Sequence, residues 1–537
     1  MKRKLALAMG LLVSLSATGF AACGDDKGDV TVSDYYTITV ACQTEKGERE
    51  VMDVLAKRYQ ELYPDRKVVV TNMVNGPEGY MLTISQNKEM SPQIIWTSDM
   101  LHGAWDEFYV DLRPYYEASS ETDYSLYYET MLDTAGTNGK FKPTKNYTGE
   151  FRKDDLDRVD GKTERSEYGL YYAPRDYNKP AVLCNTHAFA KLDTEYESEY
   201  KRMNGVTEMP ADYQSATARL DEIVAGTDWD DMSDLYAFAK MIATRIEYLT
   251  NSYLNHPDED KGMDNALAWE KYRALNLFLD WEPTYTTIMN DMGVDLFNDD
   301  GELQIAQYKE QFATIFNSLS PSETEEDQAI APYISTIKGD DEFSRGTLFM
   351  RVCSRPLVLG YGNAFREAWG ETSLQAIRLP VETIASGNSG YAISRVWEGK
   401  GVEVNGVYKS YTDLSWDFLK FIITEEGQEV AGATGLNIPV LKSLYSAETN
   451  GGKTPAWRQV EKLGDMDNEA WVAGGEMKQD LFNIYQPKKR PALRALIKNL
   501  FLDLQKFSND PKYLDTIIEN HTRNYKNARP MDSLLGK

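Results

Sequence analysis

The chain is 537 residues long, is 42% hydrophobic and 26% charged, and carries a formal net charge of −26. At that length a single core does not suffice, and two lobes or more are expected. A surface this negative repels nucleic acid and anionic membranes, which argues against both as partners and suits an exported, soluble body.

The four histidines (His102, His187, His256, His521) show no metal-ligand spacing. The cysteines Cys23, Cys42, Cys184 and Cys353 form no C-x-x-C pair, so no zinc site, thioredoxin motif or other cofactor is expected. Cys42, Cys184 and Cys353 each lie in an apolar or strand-like run and read as buried free thiols. Thirty-four tyrosines and ten tryptophans serve mostly cores and lobe interfaces, with a minority available to stack on sugar faces.

Met1-Lys-Arg-Lys4 is a positive n-region, and Leu5 to Val13 is an apolar run too short to span a bilayer. Residues 1–22 therefore read as an export signal. It ends in Phe20-Ala-Ala-Cys23, which resembles the bacterial lipobox, with Phe20 where leucine is usual. Cys23 is the expected lipid attachment site, and residues 23–35 the lipidated N-terminus and tether. Two acyl chains, at about 0.8 kcal/mol per buried methylene, hold a protein durably.

Further along, Thr37–Cys42 has a strand's composition and leads into a helix through Val51, Val54, Leu55, Tyr59 and Leu62. Lys67–Thr71 is the next strand, then a short helix from Tyr80, then Gln93–Trp96. Strand and helix alternating over some sixty residues indicate a parallel, doubly wound sheet. Residues 144–166 are charged and aperiodic, as in a surface insertion. The segment Tyr168–Asn185, bracketed by Pro174 and Pro180, reads as extended chain crossing between lobes. Helices are expected from Asp228 and over Ala268–Leu279, and Asn298-Asp-Asp-Gly301 as a tight turn. A strand follows the turn at Gly346, with further strands at Ala376–Pro380 and Ser389–Ser394. Asn405-Gly406 marks a hairpin between Trp397 and Tyr411, and Leu414–Ile423 is a strongly apolar helix. The chain is helical again from Asp480.

Four patches carry a resemblance to a known family. They are "YQELYPDRKVVV", "SPQIIWTSD" with "YVDLRPYYE", "YGLYYAPRDYNKPAVLCN", and "FSRGTLFM" followed by "SGYAIS" and "SWDFLKFIITEEGQEVAGATGLNIPV". Their order and spacing resemble the extracellular solute-binding proteins of ABC importers, the carbohydrate type that includes maltose-binding protein. The resemblance covers roughly residues 36–525, with insertions near 144–166, 190–227 and 396–411. It departs at Cys184, where a tyrosine is usual, and at Ser354-Arg-Pro356, which replaces a common Gly-x-Trp.

The resemblance implies an α/β fold of two lobes, each a mostly parallel sheet flanked by helices, joined by three crossings. The crossings are expected near Pro174–Pro180, Met350–Ser354 and Gly390–Ala392. Lobe 1 is then 36–176 plus 353–391, and lobe 2 is 177–352 plus 392–537. A cleft between lobes buries most of a small ligand, and closure reports occupancy when the closed form binds better.

Gln43 and Thr44 follow the first strand and offer donors to ligand hydroxyls. Trp96 offers a stacking ring or a core residue, and Asp99 a carboxylate at a strand's carboxyl end, where ligands of open α/β sheets sit. Arg175, Tyr177 and Asn178 lie on the first crossing, Trp281 follows a helix of the second lobe, and Tyr391 abuts the third crossing. Arg351, with Arg355, suits an acidic ligand, and Tyr485 is a further aromatic.

The function expected is a non-enzymatic, lipid-anchored, monomeric receptor on the outer face of the cytoplasmic membrane. It delivers a sugar or oligosaccharide to the membrane subunits of an ABC transporter. The alternatives are a glycoside-acting enzyme with two carboxylates about 5–10 Å apart, and a helical-repeat glycan-binding lipoprotein.

Overall fold

A computed structural model describes residues 30–43, 47–98, 103, 105–136, 158–159, 162–163, 169–255, 262–279, 281–294, 302–318, 334–335, 339–369, 373–385, 387–436, 438–459, 468–471, 476–478, 490–507 and 512–528. Cys23, Thr44, Asp99 and Tyr485 fall outside these, as do the Asn298–Gly301 turn and most of the 144–166 insertion.

The chain opens with Val30–Val32 (β1), Tyr36–Cys42 (β2), Glu48–Leu62 (α1), Arg66–Asn72 (β3), Gly76–Gln86 (α2) and Ile94–Ser98 (β4). β2 pairs in parallel with both β3 and β4, and α1 and α2 supply the crossovers that parallel strands require. α1 buries Val51, Met52, Leu55, Ala56 and Tyr59, one stripe of its surface. α2 begins four residues earlier than its apolar spacing suggests, because Pro77 occupies its first turn without needing an N–H partner there.

Next come Ala173–Asn178 (β5), Ala181–Asn185 (β6), the helices Thr186–Asn204 (α3), Ala216–Val224 (α4), Met232–Asn255 (α5) and Gly262–Trp269 (α6), and the strand Arg273–Asn276 (β7). The helix expected over Ala268–Leu279 is therefore corrected. Its apolar core is a four-residue strand with Ala274 and Leu275 fully buried. A short apolar run buried on both faces has no periodicity to separate strand from helix.

Glu282–Asp291 (α7), Ile334–Ser335 (β8), Leu348–Cys353 (β9), Pro356–Trp369 (α8), Leu374–Arg378 (β10), Thr383–Ala385 (β11) and Gly387–Ile393 (β12) follow. Gly401–Val404 (β13) and Val407–Ser410 (β14) form the hairpin, with Asn405 and Gly406 at positive φ as a tight I′-type turn requires. The rest is Tyr411–Ile423 (α9), Glu425–Gly432 (α10), Ile438–Pro439 (β15), Glu476–Lys478 (β16), Arg490–Lys506 (α11) and Tyr513–Asn527 (α12).

Two sheets organise these elements. The first has the order β15-β5-β12-β4-β2-β3 and the second β8-β7-β9-β6-β10. Both are mixed rather than mostly parallel. β12 runs antiparallel to β4 and β5, and β6 antiparallel to β9 and β10. The reversals arise at strands that carry the chain from one sheet to the other and so enter against the local winding.

Strand pairing also moves two crossings. β5 runs into β6 through Lys179-Pro180, so the first passage lies within the segment expected. β9, however, sits between β7 and β6 in the second sheet, and α8 returns the chain to β10 of that same sheet. This is a helical crossover between strands of one sheet. Residues 353–378 therefore stay with the second sheet, and the chain leaves it only between Arg378 and Gly387. β12 lies wholly in the first sheet, α9 packs on β2, β5 and β12, and β15 pairs with β5. Residues 392–439 accordingly belong with the first sheet, the reverse of the division expected. The last passage falls between β15 and β16, which pairs with β11.

Alternation along β6 separates the cores. Ala181 and Leu183 join the core that contains the first sheet, while Val182 and Cys184 face the core of α3, α5, α11 and α12. Cys353, opposite Ala181, lies on the first side and Cys184 on the second, so the sheet separates the two thiols. All three described cysteines are free and buried, and burial pushes the Cys42 thiol up to about 11. A thiol reagent at pH 8–9 is expected to leave all three untouched in the native protein. In denaturant it should titrate all three, which counting with a chromogenic disulfide checks.

A candidate ligand cleft at the hinge

The first sheet ends toward the second in a cluster of buried charge. Arg175 on β5 is 1% exposed, and its guanidinium forks onto Glu48, with Nη1 to Oε1 at 2.7 Å and Nη2 to Oε2 at 2.8 Å. Nη2 also donates to Asp176. The Tyr391 hydroxyl donates to the same Glu48 carboxylate, and the guanidinium stands 5.8 Å from the Tyr391 ring centre. Ser389 closes the cluster, donating to Asp176 from its backbone N–H at 3.1 Å and its hydroxyl at 2.9 Å. Burial opposes the Arg175 charge, but Glu48 and Asp176 outweigh it and hold the group well above the usual arginine range. Burial, then the Glu48 charge, keeps the Tyr391 hydroxyl protonated far above the usual tyrosine range, so it serves as a donor.

This cluster binds three elements together: the first turn of α1 through Glu48, the crossing strand β5, and the returning strand β12. Gln428 on α10 adds a fourth, donating to the Arg175 carbonyl at 2.8 Å while accepting from Val440 N–H at 2.9 Å. Beside it β12 bulges between Ser389 and Gly390. A Cβ at Gly390 would stand 2.0 Å from the Ala173 carbonyl oxygen, so only glycine allows the strands this approach. Arg175 and Tyr391 are thus engaged in holding the hinge rather than presented to a cleft.

The remaining candidates divide clearly. Trp96 is 7% exposed, lies opposite Tyr391 in the ladder and belongs to the first core. Its apolar strand takes the ring inside. Tyr177 is buried edge-on against Tyr128, with ring centres 5.7 Å apart. Gln43 stands half-buried at the carboxyl end of β2. Asn178 is half-buried at the end of β5, paired with Gly387, and its Oδ1 has no hydrogen-bond partner among the described residues.

Trp281 comes to the same place from the second sheet. It precedes α7 and is half-buried, and its ring packs on Gly387 so closely that a Cβ there would lie 3.3 Å from Cζ2. Phe278, which sequence reasoning missed, stands with it. Its ring centre is 6.3 Å from that of Trp281. Phe278 holds φ +49°, a left-handed backbone that a bulky residue rarely adopts. Both rings follow the carboxyl end of β7, a parallel strand, where the ligands of open α/β sheets gather. Arg351 lies 1% exposed with its guanidinium 4.9 Å from the Phe278 ring centre and 5.4 Å from that of Tyr361. It braces Phe278 from a central strand, not from a crossing. Nothing in the sequence marks Phe278, because its backbone angle is set by the loop it caps. Glu48 was equally silent, reading as an ordinary acid in a helix's first turn.

The two sheets meet here, with the Trp281 ring on Gly387, Phe278 beside it and the buried Asn178 Oδ1 unpartnered among the described residues, while Gln43 stands at the carboxyl end of β2 in the same sheet as Asn178. Among the described residues no group of three or more His, Cys, Asp or Glu is placed to hold a metal. None of the described helices is long and apolar enough to cross a membrane.

The chain has the two-lobe fold seen in solute-binding proteins of ABC importers. Solved structures with that fold match along nearly the whole chain. The GacH receptor of Streptomyces glaucescens GLA.O, solved unliganded and with acarbose, aligns at TM-score 0.55 and 12% identity over 92% of this chain and 100% of its own. A solute-binding protein from Thermotoga lettingae TMO bound with α-D-tagatose aligns at 0.54 and 10% identity, covering 92% and 100%. UgpB from Mycobacterium tuberculosis in complex with glycerophosphocholine aligns at 0.52 and 12% identity, covering 90% and 99%. No family model matches the sequence, and no curated protein does. Sheets at the heart of both lobes overturn the helical-repeat alternative.

Proposed function

We propose that this protein is a lipid-anchored extracytoplasmic receptor. In this reading it captures a sugar or oligosaccharide between its lobes and delivers it to an ABC permease without chemical change. The observation that carries the sugar assignment is the Phe278–Trp281 pair seated on the hinge strand at Gly387, beside the unpartnered Asn178 amide oxygen. A sugar ring offers an apolar face to an aromatic and hydroxyls to amides, and this corner supplies both partners. Gln43, Thr44 and Asp99 are assigned to it from their sequence positions. Structural relatives were solved with acarbose, α-D-tagatose and glycerophosphocholine, the first two of them carbohydrates. Cys23 carries the anchor, placing the folded body outside the cytoplasmic membrane as a monomer.

A thermal-shift screen across mono- and oligosaccharides and glycerophosphodiesters tests the reading. A cognate sugar at 100 times its dissociation constant is expected to stabilise the protein by about 2.7 kcal/mol. A shift with glycerophosphodiesters alone would replace the sugar assignment, and appearance of cleaved product during incubation would replace the receptor one.

A further inference from the structure

Apart from the two main sheets stands a third, of order β1-β13-β14. Its hairpin occupies the stretch where this sequence carries an insertion relative to the family it resembles. The hairpin receives the N-terminal segment as an added parallel strand, with Val30 opposite Gly401, Thr31 opposite Val402 and Val32 opposite Glu403. Ser33 N–H extends the ladder, donating to the Glu403 carbonyl at 3.1 Å. One face of this sheet belongs to the first lobe. Val402 and Val404 are buried in its core, the Tyr36 hydroxyl donates to the Val407 carbonyl at 2.9 Å, and Lys409 Nζ lies 5.0 Å from the Tyr36 ring centre.

The opposite face is open, and its one charged side chain, Glu403, stands between two apolar ones. Val32, Glu403 and Tyr408 share one row of the ladder, with Val32 79% and Tyr408 48% exposed. The Tyr408 ring lies over Gly401, where a Cβ would come within 2.5 Å of it. Tyr35, just past β1, adds exposed apolar surface beside it. Only six residues, Gly24–Asp29, separate this sheet from Cys23. Fully extended, that span reaches no more than about 25 Å.

We propose that the hairpin Gly401–Ser410 is a clip for the lipid anchor, resting on the lipidation of Cys23 proposed above. By capturing β1 it shortens the free tether and turns the face bearing Val32 and Tyr408 onto the lipid headgroups. Without the clip the free chain would run to Tyr36 and the lobes could swivel about it. With the clip, the first lobe sits nearest the membrane in one orientation. Tyrosine, with an apolar ring and a polar tip, suits the headgroup level. The occupant of this face is the bilayer that holds the anchor, because the tether cannot carry the face far from it.

The test uses full-length lipidated protein in phosphatidylcholine vesicles containing nitroxide lipid quencher. An environment-sensitive fluorophore is attached at Glu403→Cys on the sheet's outer face, or at the exposed Asn204→Cys on the second lobe. The buried native thiols stay unlabelled. Quenching at position 403 is expected to exceed that at 204 several-fold. Adding Ser33→Pro, which removes the N–H donated to Glu403, should level the two while the melting temperature holds. Equal quenching at both positions in vesicle-bound wild-type background would overturn the clip. Protein that fails to sediment with vesicles would instead remove the anchor reading, and the clip with it.

Discussion

Replacing Arg175 by alanine is expected to destabilise the protein by about 3–5 kcal/mol, the cost of removing one partner from a buried ion cluster. Glu48 and Asp176, with side chains 13% and 4% exposed, would keep their charges with no cation between them. Water could not replace the fork that now satisfies both Glu48 oxygens. The loss should fall on the first lobe, because the cluster joins α1, β5 and β12. Urea denaturation followed by tryptophan fluorescence checks the magnitude. Arg175→Lys should recover only part of it, since an ammonium cannot make two parallel bonds to one carboxylate. A change below about 1 kcal/mol, the range of exposed pairs, would mean the cluster is wetter than its burial indicates.

Trp281→Ala should weaken binding of the cognate solute about 30-fold, or about 2 kcal/mol, as truncating a central aromatic anchor does. The ring is half-buried and caps no core, so the melting temperature of the unliganded protein should move little. Calorimetric titration separates the two effects. Trp281→Phe keeps an apolar face and should retain most of the affinity, whereas Asn178→Ala removes only an acceptor and should cost less than Trp281→Ala. Unchanged affinity in Trp281→Ala would place the solute away from the aromatic corner. Phe278 offers a sharper check, because glycine at that position relieves the left-handed backbone while deleting the ring. Phe278→Gly should therefore weaken binding, and the relieved backbone should offset only part of the stability lost with a ring that packs on the second core and on Arg351.

The opening β-α-β-α-β unit, the extended crossing through Lys179-Pro180, the Asn405-Gly406 hairpin and the apolar helix at Leu414–Ile423 were all legible in the sequence. Each is dictated locally, by apolar period, by proline, or by a turn that needs positive φ. The burial of Cys42, Cys184 and Cys353 was legible too, because each sits in a run that can only be core. What the sequence left open depends on partners distant along the chain. β9 reads like a crossing until β7 and β6 are seen to flank it. Ala274-Leu275 reads like helix until the same sheet claims it. Arg175 and Tyr391 read like ligand contacts, but Glu48, over 120 residues from the first and over 340 from the second, draws both inward. Trp96 followed its apolar strand into the core, while Phe278 reached the hinge on a backbone angle no composition predicts. Local chemistry thus determined the elements and the class of fold. Which polar and aromatic side chains face a ligand, and which are consumed in holding the hinge, was decided by the long-range pairings that bring them together.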